Sequence, residues 1–189
     1  MVRISKMKKL IPPGVEVPIT SKHVGNEVGI WAENTLESMG YPIQRGKGSD
    51  LPGVETKTRR TGTTSSLTIG RTTTDEIINT PWDASTLKEK CQQIAITKWD
   101  ENVGVTVGND IIDLRDDDAQ SRLRDSYENA RKKIANGETK NTGVDGDVYF
   151  EKKGKNSWQM RATTGGLKRM RDRAGSRDIK NNKEIFPDA

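Results

Sequence analysis

Along residues 24–39 the apolar positions Val24, Val28, Trp31, Leu36 and Met39 recur at mostly helical spacing, and Gly40 follows as a stop; the pattern predicts a helix over residues 25–39. Residues 1–23 read as a lead-in with a turn at Pro12-Pro13-Gly14. A Gly- and Lys-rich loop over residues 41–49 leads to Leu51-Pro52-Gly53, a turn signal, and then to a Val- and Thr-rich strand over residues 54–59. Residues 65–71 read as a second strand, paired with the first through a turn at Gly62. A short helix over residues 87–92 leads into β-type runs at 93–98 and 103–107, which the polar stretch 99–102 joins as a hairpin. Ile111, Ile112 and Leu114 hand over to Asp116-Asp117-Asp118 and a long charged helix over residues 119–136, ended by Gly137. Short strands at 148–152 and 158–161 and a basic helix at 167–173 complete the series. This order predicts an α/β domain with a mixed central β-sheet flanked by helices.

Composition narrows the class. A chain of 189 residues supports one domain with a real core, but apolar and charged residues each make up 31%, so that core is compact. No apolar run approaches the roughly 20 residues that span a bilayer, so no membrane is expected. The basic start runs into Ile11-Pro12-Pro13-Gly14 and does not read as a secretory signal. Cys91 is the only cysteine and His23 the only histidine, which excludes an internal disulfide, a multi-cysteine or histidine zinc site and a His-Asn-His nuclease. A reducing, cytoplasmic setting is expected, as in a bacterial or phage-encoded protein. The net charge is +5, but residues 151–183 carry 11 Lys/Arg against 3 Asp/Glu. A basic segment at 151–189 following a nearly neutral domain at 1–150 suits contact with phosphate.

The stretch Gly48-Ser49-Asp50-Leu51-Pro52-Gly53-Val54-Glu55-Thr56-Lys57-Thr58 carries the candidate chemistry. Residues two apart in a strand share a face, so Glu55 and Lys57 project together. The Pro-Gly turn can fold the Asp50 carboxylate back toward Glu55. Two carboxylates with the peptide carbonyl of Thr56 make a hard oxygen site suited to Mg²⁺, with Mn²⁺ able to substitute. Such a metal can polarise a phosphodiester and acidify a bound water, beside which Lys57 would orient the water or offset phosphate charge. In the preceding helix Glu33 and Glu37 lie one turn apart, within reach of a neighbouring metal site.

Gly29-x-x-x-Glu33-x-x-Leu36-x-x-x-Gly40, followed by Asp50 and by Gly53-Val54-Glu55-x-Lys57-Thr58, resembles the PD-(D/E)XK nuclease superfamily, and most closely the MutH nickases and the type II restriction endonucleases. The likeness covers about residues 25–100, with a catalytic core expected at about 25–115. It implies a restriction-endonuclease-like fold, double-stranded DNA as substrate, and Glu33, Asp50, Glu55 and Lys57 as the catalytic set. Ser65-Ser66-Leu67-Thr68 resembles the strand after the catalytic one, and Ser85-x-Leu87-x-x-Lys90 an element whose lysine nears the site.

Arg45 and Lys47 before the strand, and Arg59 and Arg60 at its end, are candidate phosphate contacts. In the C-terminal segment Lys168, Arg169 and Arg171 are the candidate DNA-contacting residues. Asp116-Asp117-Asp118 reads as helix-start chemistry and the four tryptophans as core or rim. A monomer would nick one strand at a time, whereas a homodimer suits double-strand cutting. The rival expectation is a non-catalytic DNA-binding or packaging protein that uses the basic segment. An RNA-binding accessory protein lacks its aromatic signature here, since Phe occurs only at Phe150 and Phe186.

Overall fold

The computed structural model describes residues 10–18, 24–143 and 146–174. Most of the expected lead-in and the basic segment past Ala174 lie outside them. The chain is mixed α/β and divides into two compact units. The first takes the described residues through Thr63 together with residues 93–112, and the second takes residues 64–92 and the described residues from Asp113 onward. The division expected at 150/151 falls inside a strand, Val148–Gly154, of the second unit. The described basic residues after it, through Arg173, lie in a sheet and a helix of that unit.

In the first unit, helix α1 (Val24–Ser38) buries Val28, Ala32 and Leu36, spaced four apart on one face. Its end is a double hydrogen-bonded cap: Gly40, at φ +92°, donates to the Glu37 carbonyl at 2.9 Å and Tyr41 donates to Leu36 at 3.0 Å. Leu36 and Tyr41, the apolar pair that closes such a cap, share one core cluster with Leu10, Ile11, Ala32, Leu51, Val54, Ala95 and Ile111. Met39, read from its spacing as part of the apolar face, is 40% exposed, because the chain has left the helix by that point. Strand β1 (Glu55–Arg60) is an edge strand that runs parallel to Gln93–Asp100, with Glu55 opposite Ile94 and Lys57 opposite Ile96.

The expected single sheet is two three-stranded sheets. Strand β2 (Leu67–Thr73) does not pair with β1; it runs antiparallel to Ser157–Ala162 in the second sheet. Gly62 does turn, at φ +73°, but the turn passes the chain from one sheet to the next instead of closing a hairpin. Buried positions of β2 include Leu67, Ile69 and Gly70. Helix α2 (Thr74–Asn79), a 3₁₀ turn at Trp82–Ala84 and helix α3 (Thr86–Lys90) follow, of which only α3 was legible from the sequence. Strand β3 (Gln93–Asp100) is the centre of the first sheet and is buried along nearly its whole length; β4 (Val105–Asp113) is its other neighbour.

Helix α4 (Asp117–Ala135) begins at Asp116, whose carboxylate accepts from the Ala119 amide at 2.9 Å, so the acidic run is a cap. It buries Leu123, Tyr127, Ala130 and Ile134 along one stripe. Strands β5 (Val148–Gly154) and β6 (Ser157–Ala162) form an antiparallel hairpin with β6 central, and helix α5 (Thr164–Ala174) buries Gly166, Leu167 and Met170. No described helix is long and apolar enough to cross a membrane.

Tyr127 ties the second unit together. Its ring centroid lies 5.4 Å from that of Trp82 and 6.1 Å from that of Phe150, and its hydroxyl donates to the Thr80 carbonyl at 2.6 Å. Burial, and then the nearby Glu128 carboxylate, push the phenol up to about 12. The folded state thus holds this proton more tightly than the unfolded chain, whose phenol titrates near pH 10. Its contribution is full below about pH 10 and is lost as pH rises toward 12. Tyr127→Phe should remove that part of the alkaline slope and cost about 1–2 kcal/mol at pH 7 by orphaning the Thr80 carbonyl. Urea unfolding of both proteins at pH 7 and pH 11 checks this; equal slopes would reject it.

Candidate metal centre

The candidate centre lies wholly within the first unit, where α1, the loop after it and β1 meet. The loop that carries Asp50 is closed at its base by the Gln44 amide donating to the Asp50 carbonyl at 2.6 Å. Beyond it the Pro52-Gly53 turn forms as the sequence implies, with Gly53 at φ +74° and Leu51 and Val54 exchanging backbone bonds of 2.9 and 3.0 Å. Leu51 and Val54 are fully buried, which anchors the turn to the core and delivers Glu55 at the first position of β1.

Glu55 and Lys57 lie on one face, as the two-residue spacing requires, with Lys57 Nζ 2.6 Å from Glu55 Oε1. Glu55 is 1% exposed and the Lys57 side chain 21%, so this is a buried charge pair rather than a surface one. The Asp50 carboxylate folds back onto β1 at the residue next to Glu55. Its Oδ2 accepts two hydrogen bonds from Thr56, one from the backbone amide and one from the hydroxyl, both at 2.9 Å. In an extended strand the N–H and C=O of one residue point to the same edge. The Thr56 amide reaches Asp50 and not β3, so the Thr56 carbonyl also leaves from the open edge of β1, on the side of the Asp50 carboxylate.

Glu33, on α1, feels all of these charges. Its pKa is raised, first by burial and then by the Asp50 carboxylate, with Glu55 adding to the rise and Arg45 and Lys57 opposing it. Glu33, Asp50 and Glu55 therefore form one electrostatic neighbourhood, in which Arg45 and Lys57 oppose the carboxylates. Hard carboxylate oxygens suit a small divalent cation. Among the described residues no group of three or more His, Cys, Asp or Glu side chains is gathered to hold a metal. The donors expected from the sequence are two carboxylates, Asp50 and Glu55, with the Thr56 carbonyl.

The candidate phosphate contacts divide. Arg45 is committed to α1: its guanidinium forks onto Glu37 at 3.1 and 2.8 Å and reaches Asn34 Oδ1 at 3.3 Å. These bonds hold Glu37 below the ordinary carboxylate range. Glu37 and Asn34 thus belong to the structure of the site, and the one signal for them in the sequence was the placement of Glu37 one turn from Glu33. Lys47 stands exposed near the loop tip, flanked by Gly46 and Gly48. Arg59 is half-buried, which lowers its pKa, while Arg60 pairs with Glu101 at 2.7 Å. Lys90, Lys168, Arg169 and Arg171 belong to the second unit. The Lys90 stem lies over Gly70 of β2, Lys168 is exposed on α5, and Arg169 pairs with Asp147 at 2.9 Å. Arg173, which the sequence reading did not single out, also pairs with Asp147.

Comparison with known proteins finds no family model that matches the chain and no curated protein with a significant match.

Proposed function

We propose that the first unit is the catalytic core of a Mg²⁺-dependent DNA endonuclease of the PD-(D/E)XK type, restriction-like or nicking, acting on double-stranded DNA. The observation that carries this reading is the convergence of four groups in one small region. Asp50 lies against the exposed edge of β1, Glu55 and Lys57 sit two apart on one face of that strand, and Glu33 is held close enough on α1 to sense all three.

Asp50, Glu55 and the Thr56 carbonyl would hold the cation, Mg²⁺ or in its place Mn²⁺. When bound it would supply Lewis-acid polarisation of a phosphodiester oxygen and a lowered pKa for a coordinated water. Lys57 keeps its ammonium against Glu55 and so presents a fixed positive charge where a phosphate gains negative charge in the transition state. Glu33 supplies negative potential from the helix side, which favours the cation over an empty site. Lys47, exposed near the loop tip, would meet the DNA backbone. Arg45 serves as a strut between the loop and α1.

The test is incubation of the protein with supercoiled plasmid and with phage genomic DNA in Mg²⁺, in Mn²⁺ and in EDTA. Nicked circles or discrete fragments formed only with a divalent metal are expected, and their pattern separates nicking from double-strand cutting. Intact DNA in both metals, together with a gel shift, would reject catalysis and leave a DNA-binding protein that works through its basic C-terminal segment.

A further inference from the structure

The middle residue of Glu55-Thr56-Lys57 has more to do than lend a peptide carbonyl. Resting on the reading of Asp50 as a metal ligand, we propose that the Thr56 side chain is a positioning group: its hydroxyl locks one oxygen of Asp50 so that the other is turned to the cation.

Thr56 follows buried Val54 by two positions, on the opposite face of β1 from the Glu55–Lys57 pair, and is itself half-buried. Valine would suit such a position in a strand at least as well, since threonine differs from it by a hydroxyl that needs a partner. Here the partner is Asp50 Oδ2, at 2.9 Å, and the Thr56 amide donates to the same oxygen at 2.9 Å. Two donors from a single residue converging on one oxygen fix the plane of the carboxylate, because rotation about the Cβ–Cγ bond would break both. The bonds are charge-assisted and correspondingly strong. Neither of them uses Oδ1, which is left as the oxygen to ligate. The amide alone would oppose that rotation with one bond. The hydroxyl adds a second and narrows the range of carboxylate orientations. A ligand oriented in advance binds its metal without first losing that motion, and removing groups that orient ligands costs about 10- to 100-fold in metal affinity.

The experiment is calorimetric titration of Mg²⁺ into the wild type, Thr56→Val, Thr56→Ser and Asp50→Asn, with a thermal melt of each in EDTA. Thr56→Val keeps the backbone carbonyl and the side-chain shape but should bind Mg²⁺ about 10-fold more weakly, whereas Thr56→Ser, which restores the hydroxyl, should stay within about threefold of wild type. Placed on Asp50→Asn, Thr56→Val should produce no further loss. Unchanged Mg²⁺ affinity in Thr56→Val with only a lower melting temperature would show a merely structural bond and overturn the proposal, as would a serine variant as weak as the valine one. Should Thr56→Val not fold, Thr56→Ala against Thr56→Ser makes the same comparison. A wild type that binds no Mg²⁺ would overturn the metal reading itself, and this proposal with it.

Discussion

On the proposed nuclease reading, removing both members of the Glu55–Lys57 pair is expected to leave a stable protein without DNA cleavage, whereas removing Lys57 alone should cost both stability and cleavage. The reason lies in the burial of the pair. Glu55 is 1% exposed and its ammonium partner stands 2.6 Å away. Lys57→Met removes the ammonium beside a buried carboxylate, and breaking such a pair costs about 3–5 kcal/mol, while Glu55→Gln/Lys57→Met replaces the pair by neutral groups of similar size and recovers most of that loss. If the pair served the fold alone, the double variant would be close to wild type in every assay. On the catalytic reading it loses a metal ligand and the positive charge beside the phosphate together. Cleavage should then fall by at least about 10²–10⁴-fold, since either loss alone reaches that range. Plasmid nicking in Mg²⁺ and urea unfolding, measured on the same preparations, separate the two. A folded double variant that cuts at the wild-type rate would remove Glu55 and Lys57 from the chemistry.

The second large effect lies in the other unit. A Cβ at Gly166 would overlap the Asp147 carbonyl oxygen and stand 2.9 Å from its carbon, a collision with backbone that no side-chain rotation relieves. Alanine is the better helix former by about 1 kcal/mol, but the overlap forces α5 away from the chain at Asp147. That movement would also disturb the ion pairs of Asp147 with Arg169 and Arg173. Gly166→Ala is expected to destabilise by about 3 kcal/mol, at the upper end of what forced packing costs. Gly165→Ala is the matched control. Its Cβ would meet only the Arg169 Nη1 tip, at 3.3 Å, which can move aside, so a change within about 1 kcal/mol on the stabilising side is expected. Urea unfolding of the two variants checks the contrast, and equal midpoints would refute it.

Much of the candidate site was legible because it depends on short-range geometry. The period of two along a strand puts Glu55 and Lys57 on one face whatever the rest of the chain does, and Pro52-Gly53 turns within four residues. Helix α1 was readable for the same reason. Apolar residues four apart define its face, and Gly40 offers the left-handed backbone on which its cap depends. The capping of α4 by Asp116 needed only the neighbouring amides. The signals that failed were those in which a nearby segment was taken for a partner. Gly62 between two β-type runs looks like a hairpin, yet β2 pairs with β6, some ninety residues later, and β1 with β3.

What the sequence by itself determined, then, is the local geometry: which residues are helical or extended, which of them share a face, and that Glu55 and Lys57 project together from one short strand. Only the tertiary structure decided that there are two sheets in place of one, that β5, β6 and α5 belong inside the second unit, that Arg45 is consumed by Glu37, and that Thr56 grips Asp50. The physical reason is the range of the forces involved. Backbone sterics, capping and side-chain period act over a few residues and are written in adjacent letters. The partner of a strand or of a charge depends on which distant segments bury the most apolar surface together, and that is settled by the whole chain at once.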